Sequence, residues 1–127
     1  MSNVDVVNRV YTGFAAGDIG AVVATFADDI EWTEAAGFPY AGTYVGPDAI
    51  VANVFRRLGT EWDGYTAEPD LVIGDGDQVA ARGWYWGTYK QTGKPFRARF
   101  VHWWTVTDGK IVRFEQVVDS SKVNEAL

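Results

Sequence analysis

The chain has 127 residues, of which 47 % are hydrophobic and 22 % charged, and this suits one globular domain spanning residues 1–127. Its formal net charge of −6 at pH 7 would repel a polyanion, so nucleic acid is excluded as a partner. The absence of cysteine excludes disulfides and thiolate metal sites, and it fits a reducing, cytoplasmic location.

The N-terminal segment is predicted to form two helices. Apolar residues recur every three or four positions between Val6 and Phe14, which indicates an amphipathic helix over residues 3–16. Asp18 can cap a second, short helix that ends at Asp28–Asp29. The segment lacks the basic and apolar regions of a signal peptide, and the sequence has no run of about 18 apolar residues, so we expect no association with a membrane.

A short strand, a loop and a third helix are predicted next. The strand runs from Ile30 to Thr33. Residues 34–46 are rich in Gly, Pro and Tyr, which is typical of a loop. Pro47 opens a helix over residues 47–58, because proline is favoured in the first helical turn, and Gly59 ends it.

The remainder of the chain is predicted to be β-structure. Turn residues separate the strands at positions 74–77, 92–94 and 108–109. The predicted strands span residues 64–73, 77–89, 95–106 and 110–118. Helices followed by a run of antiparallel strands indicate an α+β fold, with the helices packed on one face of the sheet.

The third of these strands alternates between two faces. His102 and Trp104 point to one side, which should face the helices and a pocket, whereas Trp103 points to the other side. The preceding strand carries Trp84 and Trp86 on one face as well. A sheet with large rings on both faces needs a cover on each side, so we expect a homodimer formed through the outer sheet face, at Trp84, Trp86 and Trp103.

The turn at Asp108–Gly109 determines what lies opposite His102. A two-residue loop would place His102 opposite Glu115. A three-residue loop with a glycine bulge would place it opposite Phe114, with Gln116 one step along the same face. The sequence does not choose between these registers.

Several motifs along the chain share an order and spacing with one known group. They are Phe14–Asp18, Phe26–Trp32, Tyr40–Pro47, Thr92–Phe96, His102-x-Trp104, Asp108–Ile111 and Asp119–Ser120. Nearly the whole chain resembles the SnoaL-like polyketide cyclase and ketosteroid isomerase-related family of the nuclear transport factor 2-like superfamily. The resemblance implies a cone-shaped, curved antiparallel β-sheet wrapped around N-terminal helices (a cystatin-like α+β roll), an open-ended cavity, and dimerisation through the outer sheet face.

His102, the only histidine, is the first candidate for catalysis. A neutral imidazole can donate a hydrogen bond to a carbonyl group or act as a base near neutral pH. The family resemblance implies that Asp119, which follows the last strand, acts as an acid or base. The alternative is that Asp119 caps a helix over residues 120–126.

Glu34 matches, within the same resemblance, the proton-shuttling carboxylate of ketosteroid isomerases. A carboxyl group in an apolar pocket would have a raised pKa and could abstract a proton next to a carbonyl group. The alternative is an exposed loop glutamate. The resemblance also places His102 where those isomerases have a protonated acid, and Val10 where they have a tyrosine, with Tyr11 one position away. This departure argues against steroid isomerase activity.

A pocket lined with aromatic rings suits a small hydrophobic organic ligand. The predicted ligand-binding residues are Trp32, Tyr40, Phe55, Tyr85, Phe100, Trp104, Glu115 and Gln116. With one histidine and no cysteine, we expect no metal site and no cofactor. The leading hypothesis is a cofactor-independent cyclase- or isomerase-type enzyme that acts on a small apolar carbonyl compound by proton transfer. The alternative is a ligand-binding or stress-associated dimeric module without catalysis.

Overall fold

The computed structural model describes residues 1–127 as helices packed into the concave face of a curved, six-stranded sheet that does not close. The helices are α1 (Asn3–Ala15), α2 (Ile19–Val23), α3 (47–61) and α4 (Ser120–Asn124). The strands are β1 (Phe26–Glu34), β2 (Gly42–Val45), β3 (Trp62–Asp75), β4 (Gln78–Tyr89), β5 (Lys94–Thr107) and β6 (Lys110–Val118). The α+β architecture predicted from the sequence is confirmed.

Helix α1 begins at Asn3, as the apolar pattern predicts, and the preceding residue, Ser2, is its N-cap. The Ser2 hydroxyl accepts a hydrogen bond from the Asp5 amide, and the Asp5 carboxylate accepts one from the Ser2 amide, which completes a capping box. The helix buries Val7 and Val10 against the sheet. It also buries Tyr11, whose side chain reaches the centre of the molecule.

The prediction for the next segment was wrong in its boundaries. Helix α2 ends at Val23 rather than at Asp28–Asp29, and the chain is already in strand β1 from Phe26 onward. The reason is tertiary: alternate positions of β1, including Ile30 and Trp32, point into the core, and this period of two requires a strand. The predicted loop over residues 34–46 also contains the short strand β2.

Helix α3 runs past the predicted stop at Gly59 and contains an irregular turn. It consists of an α-helical turn (Pro47–Ile50), a π-helical segment (Val51–Phe55) and a second α-helical segment (Arg56–Glu61). A π-helical turn holds an extra residue and shifts the helical face. Val54 and Phe55, at its end, are both buried and both face the cavity described below.

The sheet has the strand order β2-β1-β6-β5-β4-β3. All neighbouring strands are antiparallel except β1 and β6, which run parallel. The expectation of a purely antiparallel sheet is therefore wrong at this one pair. It arises because β1, from the first third of the chain, lies directly beside the last strand.

Neither register proposed for the last hairpin is correct. The turn has two residues, Asp108 and Gly109, both with positive φ, and Thr107 pairs with Lys110. A β-bulge between Thr105 and Val106 then shifts the pairing by one residue. As a result, His102 lies opposite Gln116.

The hydrophobic core fills the space between the helices and the concave face of the sheet. It comprises 26 buried apolar residues from every layer of the fold. Only four polar residues are buried with them: Thr25, Glu34, His102 and Gln116. The outer face of the sheet is uncovered, and Trp103 is 48 % exposed. None of the helices is both long enough and apolar enough to cross a membrane.

Candidate functional site

A cavity of about 530 Å³ lies between the helices and the concave face of the sheet. Helices α1 and α3 form one wall, and strands β1, β3, β4, β5 and β6 form the other. Most lining residues are apolar, among them Phe14, Trp32, Phe55, Trp104 and Phe114. Its polar groups are few and belong to Tyr11, Glu34, Tyr65, Thr66, Tyr85, His102 and Gln116. A volume of this size suits a small organic molecule.

His102 is held between two tyrosines. Tyr11 Oη lies 2.6 Å from His102 Nδ1, and Tyr85 Oη is hydrogen-bonded to His102 Nε2. Both ring nitrogens of the imidazole are therefore occupied by phenol groups. Phe100 stacks on the imidazole, with 4.0 Å between ring centroids, and keeps that face dry.

Each phenol oxygen also accepts a hydrogen bond from a nitrogen donor. Trp104 Nε1 donates to Tyr11 Oη at 3.3 Å, and Gln116 Nε2 donates to Tyr85 Oη at 3.0 Å. The orientation of the Gln116 amide is fixed, because its Oε1 accepts from the backbone N–H of Ala35 at 3.0 Å. The five side chains form one continuous network on the cavity wall.

Burial sets the protonation state of this network. It lowers the pKa of His102 to about 3, because nothing nearby offsets the loss of water around an imidazolium. Burial also raises the pKa of Tyr11 and that of Tyr85 well above the ordinary value of 10.0. At neutral pH the imidazole and both phenols are consequently uncharged.

Glu34 is a buried carboxyl group on the wall of the same cavity. Its Oε1 accepts a hydrogen bond from Trp32 Nε1 at 3.0 Å, whereas its Oε2 has no hydrogen-bond partner although it is buried. Burial raises the pKa of Glu34 to about 7, and the bond from Trp32 opposes this only in part. Near neutral pH such a group can both take and release a proton.

The structure brings together seven of the eleven residues predicted for the site. Those that line the cavity are His102, Glu34, Trp32, Phe55, Tyr85, Trp104 and Gln116. Glu34 is 5 % exposed and is not the exposed loop glutamate considered as the alternative. Its burial follows from its position as the last residue of β1, where it shares the inner face with Ile30 and Trp32.

Four predicted residues lie outside the cavity. Asp119 is exposed: its carboxylate accepts from Ser121 Oγ at 2.8 Å, so it precedes α4 without reaching the interior. Glu115 points to the outer face because Gln116, its neighbour, points inward. Tyr40 is buried elsewhere, between Glu61 and the Trp62 indole, and Phe100 lies behind His102 rather than on the cavity surface.

Tyr11 and Phe114 also line the cavity, although neither was predicted from the sequence. Tyr11 belongs to the buried stripe of α1, and its position one turn after Val7 could have indicated that it faces the sheet. Phe114 stacks on Trp32 with 3.8 Å between ring centroids, and only the parallel pairing of β1 with β6 brings these two rings together. No group of three or more potential metal-ligating side chains is clustered in the structure.

Comparison with known proteins places this geometry in a family. Residues 7–114 match the model of the SnoaL-like domain. The chain belongs to the SnoaL-like family. Its fold is that of the NTF2-like superfamily, as the solved structures below show.

Three solved structures illustrate how closely this SnoaL-like chain follows its relatives. An NTF2-like protein from Burkholderia thailandensis E264 is 49 % identical, with a TM-score of 0.96 over 99 % of this chain and 97 % of the other. An NTF2-like protein of unknown function from Burkholderia pseudomallei is 28 % identical, with a TM-score of 0.89 over 99 % and 98 %. TerC, co-crystallized with polyporic acid, is 30 % identical, with a TM-score of 0.84 over 98 % and 96 %.

One curated protein is similar over part of its length. Patulin synthesis protein F from Aspergillus clavatus is 29 % identical over 89 residues, which cover 65 % of this SnoaL-like chain. The chain spans 42 % of the length of that relative. Together with the cavity, these comparisons support a small-molecule-binding protein of the NTF2-like fold.

Proposed function

We propose that this SnoaL-like protein binds a small apolar carbonyl compound and moves a proton within it, as a cofactor-independent isomerase- or cyclase-type enzyme. The observation that carries the proposal is the unpartnered oxygen of Glu34 in an apolar cavity. A buried carboxyl oxygen without a partner is unfavourable unless a ligand or water supplies one. TerC, at 30 % identity, was co-crystallized with polyporic acid, and this supports an organic ligand.

Glu34 acts as the base in the proposed reaction. Its carboxylate takes a proton from the carbon next to the ligand's carbonyl group, the C–H electron pair becomes a C=C bond, and the carbonyl π pair moves onto oxygen. Returning that proton to a different carbon gives an isomer. Attack of the enolate carbon on a second carbonyl group of the same molecule gives a ring, and the new alkoxide then takes the proton from Glu34.

The Tyr11–His102–Tyr85 network provides the donor for the enolate oxygen. His102 cannot reach the ligand through its nitrogens, because both are bonded to phenol groups. In the proposal, therefore, a tyrosine hydroxyl donates to the oxyanion and His102 orients and polarises that tyrosine. Donors placed in advance at a developing oxyanion contribute a large part of catalysis in such reactions. Asp119 has no part in this chemistry, since it lies outside the cavity.

Exchange of α-hydrogen for deuterium tests the proposal directly. We expect the protein to speed the exchange of the methyl hydrogens of 2-acetonaphthone in D₂O, followed by proton NMR, at pD 7.5. The variant Glu34→Gln keeps an acceptor for Trp32 but has no base, and we expect exchange to slow by about 10²–10⁴-fold, the range for removal of a general base. Equal rates for the two proteins would refute a catalytic role for Glu34.

The same experiment separates catalysis from binding alone. If tryptophan fluorescence shows that the ketone binds and no exchange occurs with the wild-type protein, the function is that of a ligand-binding module. The variant Glu115→Gln is the matched control, since it removes a carboxylate from the outer face of the sheet. We expect its exchange rate to equal that of the wild type.

We also propose that a second copy of the chain covers the outer face of the sheet. Trp86 is 36 % exposed, Trp103 48 % and Val117 60 %, and such apolar surface is typical of an interface. Trp84 is less available, because the guanidinium groups of Arg97 and Arg99 lie over its ring. Sedimentation equilibrium should give a dimer for the wild type and a monomer for Trp103→Glu; a monomeric wild type would refute the proposal.

A further inference from the structure

The direction of the outer hydrogen bonds of the network around His102 can be deduced from the groups at its two ends. Ala35 supplies a backbone N–H, which can only donate, so Gln116 must present its carbonyl to Ala35 and its NH₂ group to Tyr85. At the other end the indole N–H of Trp104 can only donate to Tyr11. Both phenol oxygens thus receive a hydrogen from outside the histidine.

A count of the hydroxyl and imidazole hydrogens of Tyr11, His102 and Tyr85 then leaves one hydrogen without an acceptor. A neutral imidazole donates through one nitrogen and accepts through the other. One tyrosine gives its hydroxyl hydrogen to the accepting nitrogen, and the other tyrosine receives the imidazole N–H. The hydroxyl hydrogen of this second tyrosine has no acceptor in the protein, and both tyrosines line the cavity. This holds for either tautomer; the tautomer decides only whether Tyr85 or Tyr11 carries the free hydrogen.

We infer that Gln116 is a positioning residue: because its amide donates to Tyr85 and does not accept from it, a single phenolic hydrogen of this network stays free and is offered to the ligand. The ligand atom bound there must be a hydrogen-bond acceptor, such as a carbonyl or enolate oxygen. Gln116 does not itself need to touch the ligand. The inference rests on the proposed function only for the class of ligand, because the hydrogen count uses protein groups alone.

Replacing Gln116 by glutamate reverses one bond while preserving shape. In Gln116→Glu one carboxylate oxygen still accepts from the Ala35 N–H. The other carboxylate oxygen accepts from the Tyr85 hydroxyl, whereas in the wild type the Gln116 amide donates to that hydroxyl. Tyr85 then accepts from His102 Nε2, His102 Nδ1 accepts from Tyr11, and no phenolic hydrogen remains for a ligand. Gln116→Met is the comparison: it loses both amide bonds but leaves the free phenolic hydrogen in place.

Nitrogen-15 NMR of the single histidine, without ligand, is the first readout. At pH 9, where the new carboxylate is ionised, we expect Gln116→Glu to hold His102 entirely as the Nε2–H tautomer. The wild type should show one protonated and one unprotonated ring nitrogen. An unprotonated Nε2 in Gln116→Glu, or two protonated nitrogens in the wild type, would overturn the inference.

Ligand binding is the second readout, with 2-acetonaphthone as the probe and tryptophan quenching as the signal. We expect the dissociation constant at pH 9 to rise at least tenfold in Gln116→Glu and less than threefold in Gln116→Met. If Gln116 only supported the fold, Gln116→Met would be the weaker binder, because it leaves the Ala35 N–H without an acceptor. Failure of the wild type to exchange α-hydrogens would count against the proposed reaction, whereas the tautomer result would still decide the role of Gln116.

Discussion

Replacement of Glu34 by glutamine should stabilise the protein at alkaline pH and change its stability little at acid pH. The carboxyl group is buried, and the variant keeps the acceptor for Trp32 Nε1. What the variant removes is the charge that Glu34 acquires when it ionises in an apolar cavity. The effect on the free energy of unfolding should therefore depend on pH in a defined way.

The size of the effect follows from the pKa. Glu34 has an ordinary pKa of 4.5 when exposed in the unfolded chain, and burial raises it to about 7 in the folded protein. The folded state holds the proton more tightly, so stability falls as pH rises from 4.5 to about 7 and then stays level with respect to this group. At about 1.36 kcal/mol per pH unit, the full penalty is about 3 kcal/mol.

Urea unfolding of the two proteins across pH is the measurement. Tryptophan fluorescence at pH 4.5 and pH 8.5 gives the free energy of unfolding of each, and groups common to both cancel in the difference. We expect Glu34→Gln to gain about 3 kcal/mol relative to the wild type between these two pH values. If the difference in free energy of unfolding between the two proteins is the same at both pH values within about 0.5 kcal/mol, Glu34 does not ionise in a dry environment.

Three further predictions concern other parts of the molecule. Nitrogen-15 NMR should show no protonation of His102 between pH 8 and pH 5, because its pKa is lowered to about 3; a transition near pH 6.5 would contradict the burial of the ring. Gly83→Ala should destabilise the protein by more than about 2 kcal/mol, since the new methyl group would lie 2.6 Å from Phe100 Cζ and against the Glu68 carbonyl. Gly59→Ala, with open space around it in α3, should stabilise the protein by about 0.5–1 kcal/mol. Equal thermal denaturation midpoints for the two variants would contradict this prediction. Tyr40→Phe removes the acceptor of the buried Trp62 N–H and should lower the free energy of unfolding in urea by about 1–3 kcal/mol. The affinity for 2-acetonaphthone should stay unchanged. Weaker ketone binding would mean that Tyr40 belongs to the site after all.

The parts of the fold that follow from local rules could be predicted from the sequence. Turn residues and alternation located the four long strands within about two residues, because both signals act between near neighbours. The same alternation placed His102 and Trp104 on the inner face of β5, where the structure has them. Inward orientation on a strand depends only on the period of two.

The parts that depend on distant partners could not be predicted. The sequence of the turn does not indicate the bulge between Thr105 and Val106. This bulge sets the register in which His102 lies opposite Gln116. The length of β1, which carries Glu34 onto the inner face, depends on pairing with β2 and with β6, the latter some eighty residues later. Asp119 was assigned by resemblance, but its amide binds the Arg99 carbonyl and its carboxylate turns toward Ser121, so the side chain ends outside.

The parallel pairing of β1 with β6 has a consequence for the order of folding during synthesis. Strand β1 has only two neighbours in the sheet, the short β2 and the late β6. The β1 side of the cavity wall, with Trp32 and Glu34, can be fixed only after the ribosome has released the chain as far as Val118. Until then the apolar face of β1 lacks Phe114, on which Trp32 stacks, and contacts of such long sequence separation form slowly. A nascent or truncated chain that ends before β6 should consequently be bound by chaperones and sensitive to proteases within residues 26–34.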